Sequence, residues 1–430
     1  MTQSYTSTLL QEGYERVLHP CGMDIYLCRK PVTTTSAMLG VKFGSANMPT
    51  ALTDIPLGTA HFLEHKVFEG KRGENFDFLF SETGAEVNAY TSYDRTVYYM
   101  SCTDHWQKNL LTLLRMLSEL WVTKASVERE KTIIAEEIRM NNDSPFERCY
   151  AELLLAMYQN HRMREEICGS EDSIKDITPK LLRDVFATYY RPDNMILTVC
   201  GQVEMTEVLA LVDRVYGGFN RQKMKPLTGD GYCFEPTHPA KTYTELSMPV
   251  PKPLMSMGVK VRADEGMICD PQALFRKDLR MALLCELLFS RSGELYDRLF
   301  EGGMITPTYA YGYATGKDYS YFAVSCECDS PKDVYDAICA YIDEIKEKGF
   351  AQKDFERCRR VLYADYVTGF DAPEDIASCL LSYAFDGVGV FDYTDTLFSL
   401  TQDEVMTFFL DSFQKMCYTL SVVSNHEGDL

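Results

Sequence analysis

The sequence predicts an α+β protein of two tandem, homologous domains, each a mixed β-sheet covered by helices. Three observations carry that expectation. Short fragments recur in one order at a nearly constant spacing, strand-like and helix-like patterns alternate twice, and a turn-rich stretch separates the two sets. Gly40-Val41-Lys42, within SAMLGVKFGSA, recurs as Gly258-Val259-Lys260 within LMSMGVKVRA. Ser101-Cys102, closing TVYYMSC, recurs as Ser325-Cys326, closing YFAVSC. Ile196 to Val199 of NMILTVCGQ has its counterpart in Thr419 to Val422 of YTLSVVSN. Each match is short, but three in the same order, all about 220 residues apart, favour a duplication. The stretch GGFNRQKMKPLTGDGYCFEPTHPAK concentrates Gly, Pro, Lys and Asp. It places the domains at 1–220 and 241–430, with a linker at 221–240.

Within each half the order is strand, helix, strand, helix, strand, the strands being rich in Val, Tyr, Phe and Thr. TDIPLGTAHFLEHKVFEG reads as a helix, with Thr53 and Asp54 able to cap it, Pro56 suited to its first turn and Gly70 ending it. Gly84 to Thr91 reads as a Gly-led strand. Residues 105–122 and 331–348 carry apolar residues at i, i+3, i+4 and i+7 and read as amphipathic helices. Residues 126–142, SVEREKTIIAEEIRMNN, also read as a helix, with acidic residues in the first turn.

Composition narrows the function classes. With 43 Lys and Arg against 63 Asp and Glu, the net charge of −20 gives an average field that repels phosphate backbones and anionic bilayers. Neither nucleic acid nor a membrane is an expected partner. The start of the chain lacks a basic segment followed by an apolar one, and no uncharged apolar window of spanning length occurs. The 15 cysteines are scattered, with no C-x-x-C pair, which points to reduced thiols and a cytoplasmic location.

The chemistry concentrates in His61-Phe62-Leu63-Glu64-His65. On a helix, His61 and His65 stand one above the other at i, i+4, and Glu64 lies beside them. Two imidazoles so placed can ligate one zinc ion, with a carboxylate next to it to take a proton from bound water. The H-x-x-E-H order is the inverse of H-E-x-x-H. A catalytic zinc needs a third protein ligand. On the 126–142 helix the apolar stripe Val127, Ile133, Ile134 and Ile138 passes through Glu130 and Glu137, whereas Glu136 points away. Carboxylates on a buried stripe are costly unless a positive charge neutralises them. Glu137 is therefore read as the third ligand. Glu130, two turns earlier on the same face, is read as holding a ligand in place. His19, His105, His161, His238 and His426 lie outside any ligand spacing and are read as structural or surface residues, and the cysteines as core residues.

HFLEH, followed by Glu137 with Glu130 seven positions before it, resembles the pitrilysin or insulinase family of zinc metallopeptidases. The length and the duplication look like its small-subunit branch, which includes mitochondrial processing peptidase and bacterial relatives. The resemblance implies the metallohydrolase fold of that peptidase and one Zn2+ per chain. It also implies His61, His65 and Glu137 as ligands and Glu64 as general base, with Glu130 completing the catalytic centre. The family's substrate-binding strand is matched here by Asn88-Ala89-Tyr90-Thr91. Read from the residues alone, such a strand can pair its edge with an extended peptide.

One departure matters. The resemblance implies an Arg and a Tyr in the second domain that reach the substrate, but Phe300 stands at the Arg position and Pro307 at the Tyr position. Arg298 or Tyr309 could substitute by a shift. An intact zinc motif without that pair looks like the metal-bearing subunit of a heterodimer whose zinc-less homologous partner supplies the Arg and Tyr, a homodimer being the alternative. The expected function is a zinc-dependent endopeptidase cleaving short or unfolded peptides inside a chamber, in peptide maturation or in turnover. The alternatives are a non-catalytic zinc-binding scaffold subunit and a zinc hydrolase acting on a non-peptide substrate.

Overall fold

A computed structural model describes residues 2–46, 55–219, 221, 233–262 and 270–425. Contacts divide the chain into two compact units. The first comprises Met1–Ile138, Glu166–Gly231 and Tyr366–Phe391; the second comprises Arg139–Glu165, Tyr232–Asp365 and Asp392–Leu430.

The first unit is built on seven strands: β1 (Gln3–Ser7), β2 (Glu12–Leu18), β3 (Asp24–Arg29), β4 (Thr35–Val41), β5 (Glu86–Thr91), β6 (Thr96–Cys102) and β7 (Met195–Gly201). Their order is β1-β2-β3-β7-β4-β6-β5, antiparallel except for β3 beside β7. The second unit has β8 (Tyr243–Ser247), β9 (Leu254–Lys260), β10 (Ala310–Thr315), β11 (Ser320–Glu327) and β12 (Tyr418–Ser424), in the order β10-β11-β9-β12-β8. Its one parallel pair is β12 with β8. Counted from the parallel pair, β3-β7-β4-β6-β5 matches β8-β12-β9-β11-β10, so the duplication is present in the topology. The first unit adds the β1–β2 hairpin.

Each recurring fragment falls on equivalent strands and has a packing reason. All seven residues of β4, β7 and β9 are buried, so both faces of these strands are covered. Polar strand residues must then pair among themselves. Ser36 Oγ donates to Ser101 Oγ at 3.3 Å, and on the equivalent pair of strands Ser256 and Ser325 share a hydrogen bond of 2.7 Å. The glycines of the repeated Gly-Val-Lys lie under a helix. A Cβ on Gly40 would stand 2.4 Å from Phe385 Cε2, and one on Gly258 would stand 2.5 Å from Met157 Sδ.

Those helices come from the other half of the sequence. Pro373–Asp386 packs on β7 and β4, and Pro145–Met157 packs on β12 and β9. Thr198 Oγ1 donates to Ala377 O at 2.8 Å on the first, and Cys149 Sγ approaches Ser421 O at 3.6 Å on the second. The chain therefore does not divide at a single linker: residues 139–165 belong with the second unit and 366–391 with the first. An apolar helix face shows in the sequence, but the sheet that it meets does not. Of the expected linker, residues 222–232 lie outside the described residues. Glu235, just beyond them, accepts from the amides of Gln159, Asn160 and His161 and from Lys260 Nζ at 2.7 Å.

The helix expected at 331–348 spans Pro331–Lys348, capped by the Ser330 side chain and ended by Gly349 at φ +72°. The one expected at 105–122 ends at Met116, and Ser118 Oγ binds the Arg115 carbonyl beyond it. Among the described residues no helix is long and apolar enough to cross a membrane.

The glycine contacts yield an asymmetric expectation. Phe385 is held by the Arg95 guanidinium 4.4 Å from its ring, whereas Met157 is flexible. Gly40→Ala should therefore destabilise the protein by roughly 1–3 kcal/mol and Gly258→Ala by less, which calorimetric melting of the two variants measures.

Candidate metal centre

The motif helix spans Thr59–Lys66. Gly58, at φ +84°, turns the chain into it, and Thr59 Oγ1 donates to Pro56 O at 2.7 Å. The helix is shorter than expected. Pro56 precedes it, and it stops before Gly70 because the chain turns at Val67 and Glu69 bridges to Asn75. Thr53 and Asp54 lie outside the described residues. The eight helical residues still place His61 and His65 on one face, ring centroids 4.6 Å apart.

The facing helix, Lys124–Asn142, begins two residues earlier than expected, so no acidic residue falls in its first turn. Val127, Glu130, Ile134 and Ile138 are buried, Glu137 is half-buried and Glu136 is exposed. Ile133, expected on the buried stripe, is 55% exposed. It lies between Glu136 and Glu137 around the helix, at the margin of the stripe.

The two helices bring His61, His65, Glu130 and Glu137 together. His61 Nε2 lies 3.5 Å from Glu137 Oε1, and His65 Nε2 lies 3.8 Å from Glu137 Oε2. The other nitrogen of His65, Nδ1, is 3.0 Å from Glu130 Oε1. Glu130 Oε2 is 3.3 Å from the ammonium of Lys66, which is fully buried and also pairs with Glu69 at 2.7 Å. His61 Nδ1 is buried without a hydrogen-bond partner among the described residues. Glu64 Oε2 accepts a 2.5 Å hydrogen bond from Thr91 Oγ1.

Thr91 ends β5, which carries Asn88, Ala89 and Tyr90 and forms the edge of the seven-stranded sheet. β6 covers one side of it. Asn88 and Tyr90 are exposed, while Ala89 and Thr91 are half-buried. Asn88 Oδ1 accepts from the Ala89 amide at 2.8 Å.

The sequence reading missed Cys168. Its Sγ lies 3.9 Å from His61 Nε2 and 3.7 Å from Glu137 Oε1. Among the described residues, His61, Glu137 and Cys168 form the one cluster of ligand-type atoms, all within 4.8 Å of one another. A cysteine far from the motif, on a loop, carries no spacing signal. Two positive-φ glycines bring it in: a Cβ on Gly58 would lie 2.4 Å from Cys168 O, and one on Gly169 would lie 2.7 Å from Leu57 O.

Charges follow from burial and neighbours. Burial, then repulsion from His65, lowers the His61 pKa to about 4, so its lone pair is free at neutral pH. Burial pushes His65 down, but Glu130 outweighs it and holds the imidazole above its ordinary value. Burial likewise opposes ionisation of Glu130, yet His65 and Lys66 bring it below the usual carboxylate range. Burial raises Glu64, against the Thr91 hydrogen bond. Burial and the Glu137 charge push the Cys168 thiol to about 12.

These residues fit a zinc ion. Two imidazoles, a carboxylate and a thiol are zinc donors. The gaps of 3.5 and 3.8 Å from Glu137 to His61 and His65 exceed good N–H···O hydrogen bonds. That separation leaves room for a cation between the carboxylate and the imidazoles.

In the second unit, Phe300 is 43% exposed and stacks on Tyr296, and Pro307 is exposed. Arg298 pairs with Glu344 at 2.7 Å and with Glu294. Tyr309 is fully buried and donates to Phe289 O at 2.9 Å.

A duplicated mixed-sheet fold with an H-x-x-E-H helix facing a glutamate-bearing helix defines the inverted-motif metallohydrolases. Residues 25–171 match the family described as Insulinase (Peptidase family M16), and residues 176–362 match the Peptidase M16 inactive domain. The chain belongs to the M16 family. It is 31% identical over 391 residues to the uncharacterized zinc protease YmfH of Bacillus subtilis (strain 168), covering 89% of this chain and 90% of that protein. It is 30% identical over 188 residues to the probable mitochondrial-processing peptidase subunit beta of Schizosaccharomyces pombe, 43% of this chain and 40% of that one. A putative M16-like peptidase from Alicyclobacillus acidocaldarius shares the fold with a TM-score of 0.88 and 26% identity, over 96% of this chain and 98% of that one.

Two outcomes follow from the geometry. Glu130→Gln should weaken zinc binding by about 10- to 100-fold, read by chelator competition. Between pH 6.5, the ordinary imidazole value, and about 4, the unfolded chain protonates His61 and the folded chain does not. His61 thus contributes a stability loss as pH falls through that window, and metal-free His61→Gln should melt with a shallower acid dependence than the wild type.

Proposed function

We propose that the chain is a zinc-dependent endopeptidase for short or unfolded peptides, acting as the metal-bearing subunit of a heterodimer. The observation that carries this reading is Glu64, held by the substrate-type strand through Thr91, beside two histidines whose Nε2 atoms face Glu137. Zinc held by His61, His65 and Glu137 would activate a water and polarise the scissile carbonyl. Held through Oε2 by Thr91, the Glu64 carboxylate would accept the water's proton and pass it to the leaving amine. The raised pKa of Glu64 suits such a shuttle. Asn88 to Thr91 align the peptide by pairing at the open edge of β5, main chain to main chain. Glu130 fixes the ring of His65 through Nδ1.

Phe300 and Pro307 support a partner that brings an Arg and a Tyr. Arg298 is already paired and the Tyr309 hydroxyl is already used, so neither offers a ready substitute. The names of the relatives, zinc proteases and a processing-peptidase subunit, support the peptidase class. The described cysteines are free thiols, which supports a reducing, cytoplasmic location. A non-catalytic scaffold is the second reading, favoured by the same Phe300 and Pro307.

Glu64→Gln tests the choice: it should retain zinc and fold while lowering cleavage of quenched peptides by about 100- to 10,000-fold. Zinc-dependent cleavage by the purified chain alone would remove the need for a partner. Loss of the Thr91 hydrogen bond raises the Glu64 pKa further. Thr91→Val should therefore move the acidic limb of kcat/KM to higher pH.

A further inference from the structure

We propose that Cys168 is a fourth protein ligand of the metal in the substrate-free chain, so that a thiolate closes the resting centre. This rests on the zinc reading above and goes beyond its three ligands. Cys168 Sγ faces two groups assigned to the metal, His61 Nε2 at 3.9 Å and Glu137 Oε1 at 3.7 Å. These atoms form a cluster within 4.8 Å, and Cys168 is 9% exposed. The thiol donates to that carboxylate at 3.7 Å, and a divalent cation in place of the shared proton would hold thiolate and carboxylate together. On binding, the S–H proton passes to solvent as the metal–sulfur bond forms, and no electrons are exchanged.

The position is built. Gly58 and Gly169 each adopt a positive φ, +84° and +77°, and a side chain on either would collide with the opposing backbone. Ser173 Oγ donates to Leu57 O at 3.0 Å, and the Ser170 amide donates to Ser173 Oγ at 2.9 Å. The loop bearing Cys168 is thus fastened to the start of the motif helix, and its sulfur sits in register with His61.

A consequence follows for catalysis. A zinc centre turns over only with an open position, so sulfur must leave before the substrate is attacked, and Cys168 restrains activity while strengthening metal retention. A soft sulfur donor also biases the site toward zinc over harder divalent ions.

The test is the absorption spectrum of the full chain loaded with cobalt(II), together with zinc affinity by chelator competition, for the wild type, Cys168→Ala, Cys168→Ser and His61→Ala. The expected result is an intense near-ultraviolet sulfur-to-cobalt charge-transfer band in the wild type. It should be absent from both Cys168 variants, which keep the visible cobalt bands and lose about 10- to 100-fold in zinc affinity. The wild-type spectrum decides even if a variant folds poorly. Cobalt bound by the wild type without a sulfur band, or a band that persists in both Cys168 variants, overturns the inference and leaves the three-ligand reading standing. A wild-type chain that takes up neither metal, like His61→Ala, overturns that reading and this one with it.

Discussion

Lys66 has no contact with solvent, and an ammonium in that position is tolerated only beside carboxylates. Glu130 supplies one of them from the facing helix, and its second oxygen meets His65 Nδ1. This chain from buried Lys66 through buried Glu130 to half-buried His65 ties the motif helix to the glutamate helix. It also fixes the turn of the imidazole that leaves Nε2 toward Glu137. The buried apolar residues of the glutamate helix, Val127, Ile134 and Ile138, cannot fix its rotation alone, because apolar packing is non-directional. The ion pairs make the docking of the two helices specific in rotation.

Chemistry and substrate alignment share an element on the other side of Glu64. The hydroxyl of Thr91 belongs to the edge strand and holds the carboxylate that is raised by its own burial. In the proposed reaction, a peptide added to that edge would be registered against Glu64 by the same strand that positions the carboxylate. His61, lowered by burial, and His65, raised by Glu130, are two histidines of one motif with opposite electrostatic settings. The second nitrogen differs too: among the described residues that of His61 has no hydrogen-bond partner, whereas that of His65 meets a carboxylate.

Close backbone approach does the remaining placement. Gly40 and Gly258 admit a helix against a sheet strand in each unit, and each helix comes from the opposite half of the chain. Gly58 and Gly169 admit the Cys168 loop against the motif helix. The repeated Gly-Val-Lys, first visible as evidence of duplication, turns out to mark where those exchanged helices lie.

The amino-acid sequence by itself determined the duplication, the H-x-x-E-H face and the stripe carrying Glu130 and Glu137. All of these are periodicities, and a helix of 3.6 residues per turn or a repeated strand order expresses them locally. It also carried the edge-strand signature Asn88 to Thr91. The tertiary structure decided the rest: that Glu130 answers to Lys66 as well as His65, that Thr91 holds Glu64, that Ile133 lies outside the stripe, and that two helices change units. It also brought Cys168 to the histidines. Each of these is a contact between segments distant along the chain, and hydrophobic periodicity records which face of a segment is covered, not by what.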